Sequence, residues 1–468
     1  MTNDGRRARI AHGDIAVVIP GILGSTLIRG RKRVWGYRQV VTNVQRLGHR
    51  LTEDLSLPTA AFADPEFGHD DGVTADGMLK TLSILPGFVA MDGYDRLVQG
   101  LRTLFAQDAD AVQEFPYDWR QSNEHSAARL GSFVQGALVR RREAFPHAKV
   151  VLIGHSMGGL VARFFAECLD TRRDTRRVVT IGTPYQGSIK ALTLLANGFV
   201  RLGPRKFALG ELARSLPSVA ELLPVYACLG PSPDQLTPIA HESAVSDVPG
   251  LPAAALTRSR VFHERLASAI VANGDGRPTY HALLSHWQTT DQWACVDRGG
   301  ETRPQPSIGF ENGGDGTVSR LSATPPEWSD DANGVYIAGR HSTLQQQAES
   351  IVQLKGILTA QPRRAQASID GICVDAAQYA ELGEDWAVEA TSVEGSDRLV
   401  LILTMADAES GSMAPVAEVP VRPMGQGRYR AVVRMHRVGM FRWTIRTSPQ
   451  SATPVESVSD AVLCSSLD

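Results

Sequence analysis

The segment Gly154-His155-Ser156-Met157-Gly158-Gly159 sets one hydroxyl between glycines two residues to either side. That spacing fits G-x-S-x-G, in which the serine sits on a strained strand-to-helix turn and presents its oxygen as a nucleophile. Glycines relieve the crowding that side chains would create there. The pattern is common by itself, and an ordinary Gly-rich turn is the bland alternative. Its context is specific: the apolar run Val150-Val151-Leu152-Ile153 enters it, and the helix-compatible run Leu160-Val161-Ala162-Arg163-Phe164-Phe165 leaves it. A serine hydroxyl is a poor nucleophile without a base, so the chemistry also calls for a histidine held by a carboxylate.

In this kind of site the chain order is Ser, acid, His. Asn312-Gly313-Gly314-Asp315-Gly316-Thr317-Val318 places an acid among glycines, and Val335 to Ser342 reads as a strand running into a loop that presents His341. Asp315 and His341 are therefore the expected partners of Ser156. Rival acids are Asp291 and Asp297, and rival bases are His281 and His286; His155 adjoins the serine and is expected to point away from it. A tetrahedral intermediate needs donors aimed at its oxyanion. The backbone N–H of Met157 is one candidate, and that of Ile22, in Pro20-Gly21-Ile22-Leu23-Gly24-Ser25, is the other.

Positioning these groups requires a sheet. Ile15-Ala16-Val17-Val18-Ile19, Val150 to Ile153 and Val178-Val179-Thr180-Ile181 are short apolar runs, each stopped by Gly or Pro-Gly, as buried parallel strands are. Between them, Asp95 to Ala106 and Ser126 to Phe145 read as helices, the second with Arg140-Arg141-Arg142 near its end, where cations suit the helix dipole. Alternating strand and helix predicts an α/β architecture. Two segments break the alternation, about residues 29–90 and 189–277, and read as cap or lid insertions above the sheet edge. After a last helix near Ile351–Leu358, the stretch Thr359 to Ala367 reads as a linker. The catalytic domain is thus expected over residues 1–360. Residues 368–468 change to alternating runs such as Leu399 to Leu403, Arg428 to Val433 and Phe441 to Ile445, which predict an all-β sandwich with no catalytic cluster.

A length of 468 residues suits two such units, and 43% hydrophobic with 21% charged residues is ordinary for a globular protein. The formal net charge of -2 gives no footprint for nucleic acid. No metal-ligand spacing occurs, and no metal or organic cofactor is expected. The five scattered cysteines and the polar stretch from Met1 to Asp14 lead to the expectation of a cytoplasmic protein, peripheral to membranes where it meets lipid, with export as the competing reading.

The sequence resembles the lecithin:cholesterol acyltransferase family, which includes phospholipid:diacylglycerol acyltransferases and lysosomal-type phospholipases A. The resemblance rests on Val18-Ile19-Pro20-Gly21-Ile22-Leu23-Gly24-Ser25, Phe115-Pro116-Tyr117-Asp118-Trp119-Arg120, the Ser156 motif, Gly182-Thr183-Pro184-Tyr185-Gln186-Gly187-Ser188, and the Asp315 and His341 segments. It spans about residues 15 to 345, and the Pro-Tyr-Asp-Trp-Arg string is its most specific part. It implies an α/β-hydrolase fold with a mobile lid, acyl-ester substrates and an acyl-serine intermediate. Arg29 to Ala90 lacks the cysteines of the lid disulfide found in lipoprotein-acting members. Tyr117 to Arg120 is expected to brace the strand end rather than touch substrate. Arg29, Arg31, Lys32 and Arg33 form a basic cluster, either a solvated loop or a site for anionic headgroups, and the apolar residues of Gly77 to Ala90 either line an acyl channel or pack in the core.

The expected function is a lipase or phospholipase acting on lipid acyl esters, or an O-acyltransferase where a lipid alcohol replaces water. The alternative is a non-catalytic platform that binds a protein partner through the β domain. A further expectation is that the β domain delivers or gates the hydrolase, so that deleting residues after Ala367 spares turnover of a soluble short-chain ester while changing activity on vesicles.

Overall fold

The runs that read as buried strands are strands of one sheet. The computed structural model describes residues 13–36, 51–62, 68–80, 83–85, 89–105, 108, 110–202, 205–239, 248–306, 313–328, 334–359, 372–392, 398–406, 413–448 and 455–466. Strands β1 (Ile15–Ile19), β2 (Val112–Glu114), β3 (Val150–His155), β4 (Thr175–Ile181), β5 (Thr279–Leu284) and β6 (Val335–Tyr336) form a six-stranded sheet in the order β6-β5-β4-β3-β1-β2. Every neighbouring pair is parallel. β1 and β3 are buried at every position, as strands covered on both faces must be. The chain passes from β1 outward to β2 and then returns to the other side of β1 for β3. Such a switch point opens a crevice at the carboxyl ends, where α/β sheets bind ligands.

Helices cover the sheet at Asp95–Leu104, Asn123–Ala144, Met157–Phe164 and Ala348–Leu358. The second begins before the expected Ser126 because the Ser122 side chain accepts a hydrogen bond from His125 N and caps it. The first insertion opens with a three-stranded antiparallel sheet of Ser25–Arg29, Lys32–Trp35 and Val73–Met78. Three members of its basic cluster pair with acids, Arg29 with Asp71, Lys32 with Asp54 and Arg33 with Asp76, while Arg31, Lys32 and Arg33 remain exposed. Met78 and Leu79 are buried in the main core, while the side chains of Leu82, Ile84, Leu85 and Phe88 lie outside the described residues. The second insertion contributes helices Ile189–Asn197, Gly210–Ser215, Pro217–Ala220 and Ala253–Asn273, and an antiparallel hairpin of Phe199–Leu202 with Arg205–Ala208.

The linker expected over Thr359 to Ala367 lies, beyond Thr359, outside the described residues. The all-β region follows as β7 (Ile372–Ala376), β8 (Tyr379–Glu381), β9 (Asp385–Ser392), β10 (Leu399–Ala406), β11 (Met413–Gly425), β12 (Arg428–Arg434), β13 (Gly439–Thr447) and β14 (Val458–Ser465). They form an eight-stranded sheet in the order β7-β9-β12-β11-β10-β13-β14-β8. β11 pairs with β10 as far as Val421 and with β12 from Arg422, so one long strand passes between the two layers. Trp386 of one layer and Trp443 of the other meet at 6.3 Å in the core between them. β14 faces both ways: Val458, Val462 and Cys464 pack inside this region, whereas Ala461 and Leu463 pack against the hydrolase core.

Arg120 locks the first insertion to the end of β2. Its buried guanidinium lies 2.8 Å from Asp71 and 2.7 Å from Asp118. Burial works against the Asp71 carboxylate, yet the hydrogen bond and charge of Arg120 hold its pKa at about 2. Arg120→Met strands two partly buried acids and should cost about 3–5 kcal/mol, read as a lower urea midpoint at neutral pH.

Candidate active site at the carboxyl edge of the sheet

Ser156 follows β3 directly and adopts φ 52°, ψ -129°, a left-handed conformation that costs a non-glycine residue roughly 1–3 kcal/mol. Neighbours hold it there: its N–H donates to Ile181 O at 2.8 Å, and its carbonyl accepts from Gly159 N at 3.0 Å and from Thr183 Oγ1 at 2.9 Å. The flanking glycines are required by contact. A Cβ on Gly154 would lie 2.5 Å from Gly159 Cα, and one on Gly158 would lie 2.4 Å from Pro20 O. The second contact sets the loop after β1 against the start of the helix that follows the serine.

His341 Nε2 lies 2.8 Å from Ser156 Oγ, and His341 Nδ1 lies 2.7 Å from Asp315 Oδ2. A carboxylate only accepts, so Nδ1 carries the proton and Nε2 is left to accept the serine hydroxyl. The other Asp315 oxygen accepts from Thr317 N at 2.9 Å and Val318 N at 2.7 Å. Burial pushes the Asp315 carboxyl up, but the charge and hydrogen bond of His341 and these two amides outweigh it and hold it below the usual range. The acid and base loops also join through their backbones, His341 N donating to Asp315 O at 2.8 Å. All three side chains belong to residues at most 5% exposed.

The rivals sit elsewhere. Asp297 pairs with Arg303 in the hairpin Asp291–Val296/Thr302–Pro306, and Asp291 starts that hairpin beside the Lys190 charge. His281 lies within β5, and His286 packs edge-on against Tyr336. Among the described residues none of them bonds Ser156 or His341.

The loop carrying Ile22 is tied at nearly every residue. Tyr117 Oη donates to Pro20 O at 2.9 Å, Trp35 Nε1 to Leu23 O at 2.9 Å, and Trp119 Nε1 to Ser25 O at 3.2 Å. The amides of Ile22 and Met157 donate to no acceptor among the described residues. Sequence reasoning missed a further chain of bonds through His155, which turns from Ser156 but toward the base. Its Nε2 lies 3.1 Å from the His341 carbonyl, and its Nδ1 lies 2.9 Å from Tyr94 Oη, which accepts from Gly21 N at 2.9 Å. A carbonyl cannot donate, so Nε2 carries the proton and Tyr94 donates to Nδ1. Burial first, and then the neighbouring His341, hold His155 neutral with a pKa of about 3. The base loop and the loop bearing Ile22 are thereby joined by two side chains. Only the adjacency of His155 to the serine pointed to it, and nothing pointed to Tyr94.

Residues 76–243 match the family model described as lecithin:cholesterol acyltransferase. The chain has an α/β-hydrolase fold that resembles the lecithin:cholesterol acyltransferase family over that stretch. The matched stretch holds the Pro116 to Arg120 string and the Ser156 motif, and the family link places the hydrolase among lipid-acting hydrolases and acyltransferases. No curated protein matches it. Among solved structures it is similar to Bacillus licheniformis lipase BlEst2 in its propeptide form, at 11% identity and TM-score 0.32, covering 97% of this chain and 95% of that one. The mature form of that lipase gives 13% and 0.33, covering 75% and 94%. A CARDB domain from Pyrococcus furiosus covers 20% of this chain and 84% of its own, at 9% identity and TM-score 0.14.

Tyr94→Phe removes the donor to His155 and the acceptor of Gly21 N, leaving two buried groups unmatched at about 1–3 kcal/mol each. Thermal unfolding should shift down, and kcat on a soluble ester should fall more than KM changes. His155 also ties stability to pH. An unfolded histidine titrates near 6.5, whereas His155 and also His281, pushed to about 4 by burial and Arg177, stay neutral when folded. Between these values the unfolded chain binds protons that the native one does not, so stability falls as pH drops from about 6.5. Urea midpoints from pH 7 to 4.5 should decline less steeply in His155→Gln.

Proposed function

We propose that this hydrolase is a serine esterase of lipase or phospholipase type, working through an acyl-Ser156 intermediate. The reading is carried by one observation: His341 stands within hydrogen-bond reach of both Ser156 Oγ, at 2.8 Å, and Asp315, at 2.7 Å. Ser156 Oγ attacks the acyl carbonyl while His341 Nε2 takes its proton, and the same nitrogen returns it to the departing alcohol. Asp315 orients the ring and offsets the charge that forms on it. The carbonyl oxygen, now negative, is received by the Ile22 and Met157 amides, each such donor contributing about 10²–10³ in rate. Water, or a lipid alcohol in its place, then attacks the acyl-serine carbonyl, with His341 again accepting the proton.

A lipid acyl group is supported by what lies beside Ile22 and Leu23. These two residues and Trp35, Leu55, Leu194 and Leu212 line a pocket whose walls are apolar throughout. The open space there is about 20 Å³, room for roughly one water molecule. Its walls therefore part to admit an acyl chain, consistent with a serine that is 5% exposed.

A fluorophosphonate probe should label the wild-type chain and not Ser156→Ala, and that variant should lose roughly 10⁵–10⁶ in kcat. Asp315→Asn keeps the shape but loses the tautomer, so about 10⁴ should be lost. Labelling that persists in Ser156→Ala, or an absence of fatty-acid release from phosphatidylcholine and triacylglycerol vesicles, rejects the reading.

A further inference from the structure

The loop that carries His341 is held from outside its own sheet. On one side of His341, Arg340 Nε lies 2.8 Å from Asp460 Oδ2; on the other, Ser342 Oγ donates to Asp460 Oδ1 at 2.5 Å. One carboxylate thus brackets the base, and Ala461 N donates to it at 2.8 Å and fixes its direction. Thr343 Oγ1 donates to Ser459 O at 2.9 Å, Ala338 N to Glu456 Oε2 at 3.2 Å, and Arg340 Nη1 to Val374 O. By the two-residue alternation of a strand, Asp460 shares the face of Val458 and Val462, which pack in the β-domain core. Arg340 reaches into that domain to meet it, its guanidinium 5.9 Å from the Trp443 ring. A carboxylate that is 3% exposed is costly in such a register unless paired, and these partners account for its place there.

The acid loop is held in the same way. Gln288 N donates to Gly314 O, and Gly314 N donates back to Gln288 O, both at 2.9 Å. The Gln288 side chain meanwhile donates to Ile372 O and accepts from Val374 N, both at 3.1 Å. Asp92, whose N–H donates to Ser342 O at 2.9 Å, is paired in turn with Arg442.

We propose that Asp460 is a positioning residue for His341, so that the β domain completes the active site rather than adjoining it. The proposal rests on the reading of His341 as the base. Asp460 acts through Arg340 and Ser342 and touches no reacting atom. Displacing a catalytic group by about 1 Å costs on the order of 10² in rate, and this carboxylate fixes both ends of the residue that bears the imidazole. The contacts run against the expectation that soluble-ester turnover survives without the β domain.

The test uses the full chain and a soluble short-chain p-nitrophenyl ester. Asp460→Asn keeps an oxygen for Ala461 N but loses the charge facing Arg340; Ser342→Ala removes one contact with little risk to folding. Turnover per folded chain should fall about tenfold in the first and about threefold in the second, with KM within about twofold. Fluorophosphonate labelling should slow in parallel. Glu389→Gln, on an exposed position of β9, should change none of these. A structural role alone would lower the melting temperature and leave kcat intact. Unchanged turnover in the folded variants overturns the proposal, and so does faster turnover, which would make the domain a restraint. Should Asp460→Asn fail to fold, Ser342→Ala decides. Activity retained by Ser156→Ala would instead sink the esterase reading, so the two failures are distinguishable.

Discussion

A carboxylate that is 1% exposed must remain charged if a histidine is to stay oriented against it, and much of the site follows from that need. Burial alone would drive the Asp315 proton back on. Two amides of its own turn claim one oxygen, which leaves the other for His341 and so fixes both the tautomer and the tilt of the ring. Nε2 can then face only one way, toward Ser156. The tight turn that supplies those amides needs small residues: a Cβ on Gly314 would lie 2.2 Å from Val318 O. Asp315 thereby sets the direction of the imidazole, and the imidazole in turn sets the direction of the Ser156 hydroxyl.

The loop after β1, which carries the proposed oxyanion donor Ile22, is held as firmly. Leu23 takes φ 64° there, a conformation a leucine adopts only under constraint. Tyr94, Tyr117, Trp35 and Trp119 supply that constraint with large side chains whose polar tips all end on the loop backbone. The Pro-Tyr-Asp-Trp-Arg string therefore works as a clamp: its aromatics grip the loop and its arginine anchors the insertion. Rigid supports of this kind matter because donors contribute to rate only when they need not reorganise during the reaction.

Ser156 was legible because its signal is local: glycines two residues away, an apolar strand before and a helix after. Asp315 and His341 were legible through chain order and the glycines around the acid, and the structure brings both to the serine. What could not be read depends on pairing across the chain. Gly21 and Tyr94 are 73 residues apart, and Tyr94 and His155 are 61 apart, with no periodicity linking them. The pairing of Arg29, Lys32 and Arg33 with Asp71, Asp54 and Asp76 was likewise illegible, because those acids lie far along the chain from the cluster. The alternation of the β region predicted strands and a sandwich. That β11 belongs to both layers is a matter of register, on which composition is silent.

The distance along the chain between Ser342 and Asp460, 118 residues, has a bearing on synthesis. A ribosome adds about 5–20 residues per second, so the loop waits roughly 6–24 s for the carboxylate that anchors it. Through that interval the loop has its partners Asp315 and His155 but not the carboxylate that brackets it. The bracketing of His341 by one carboxylate is thus among the last contacts the chain can form, since it waits for β14 to emerge and dock.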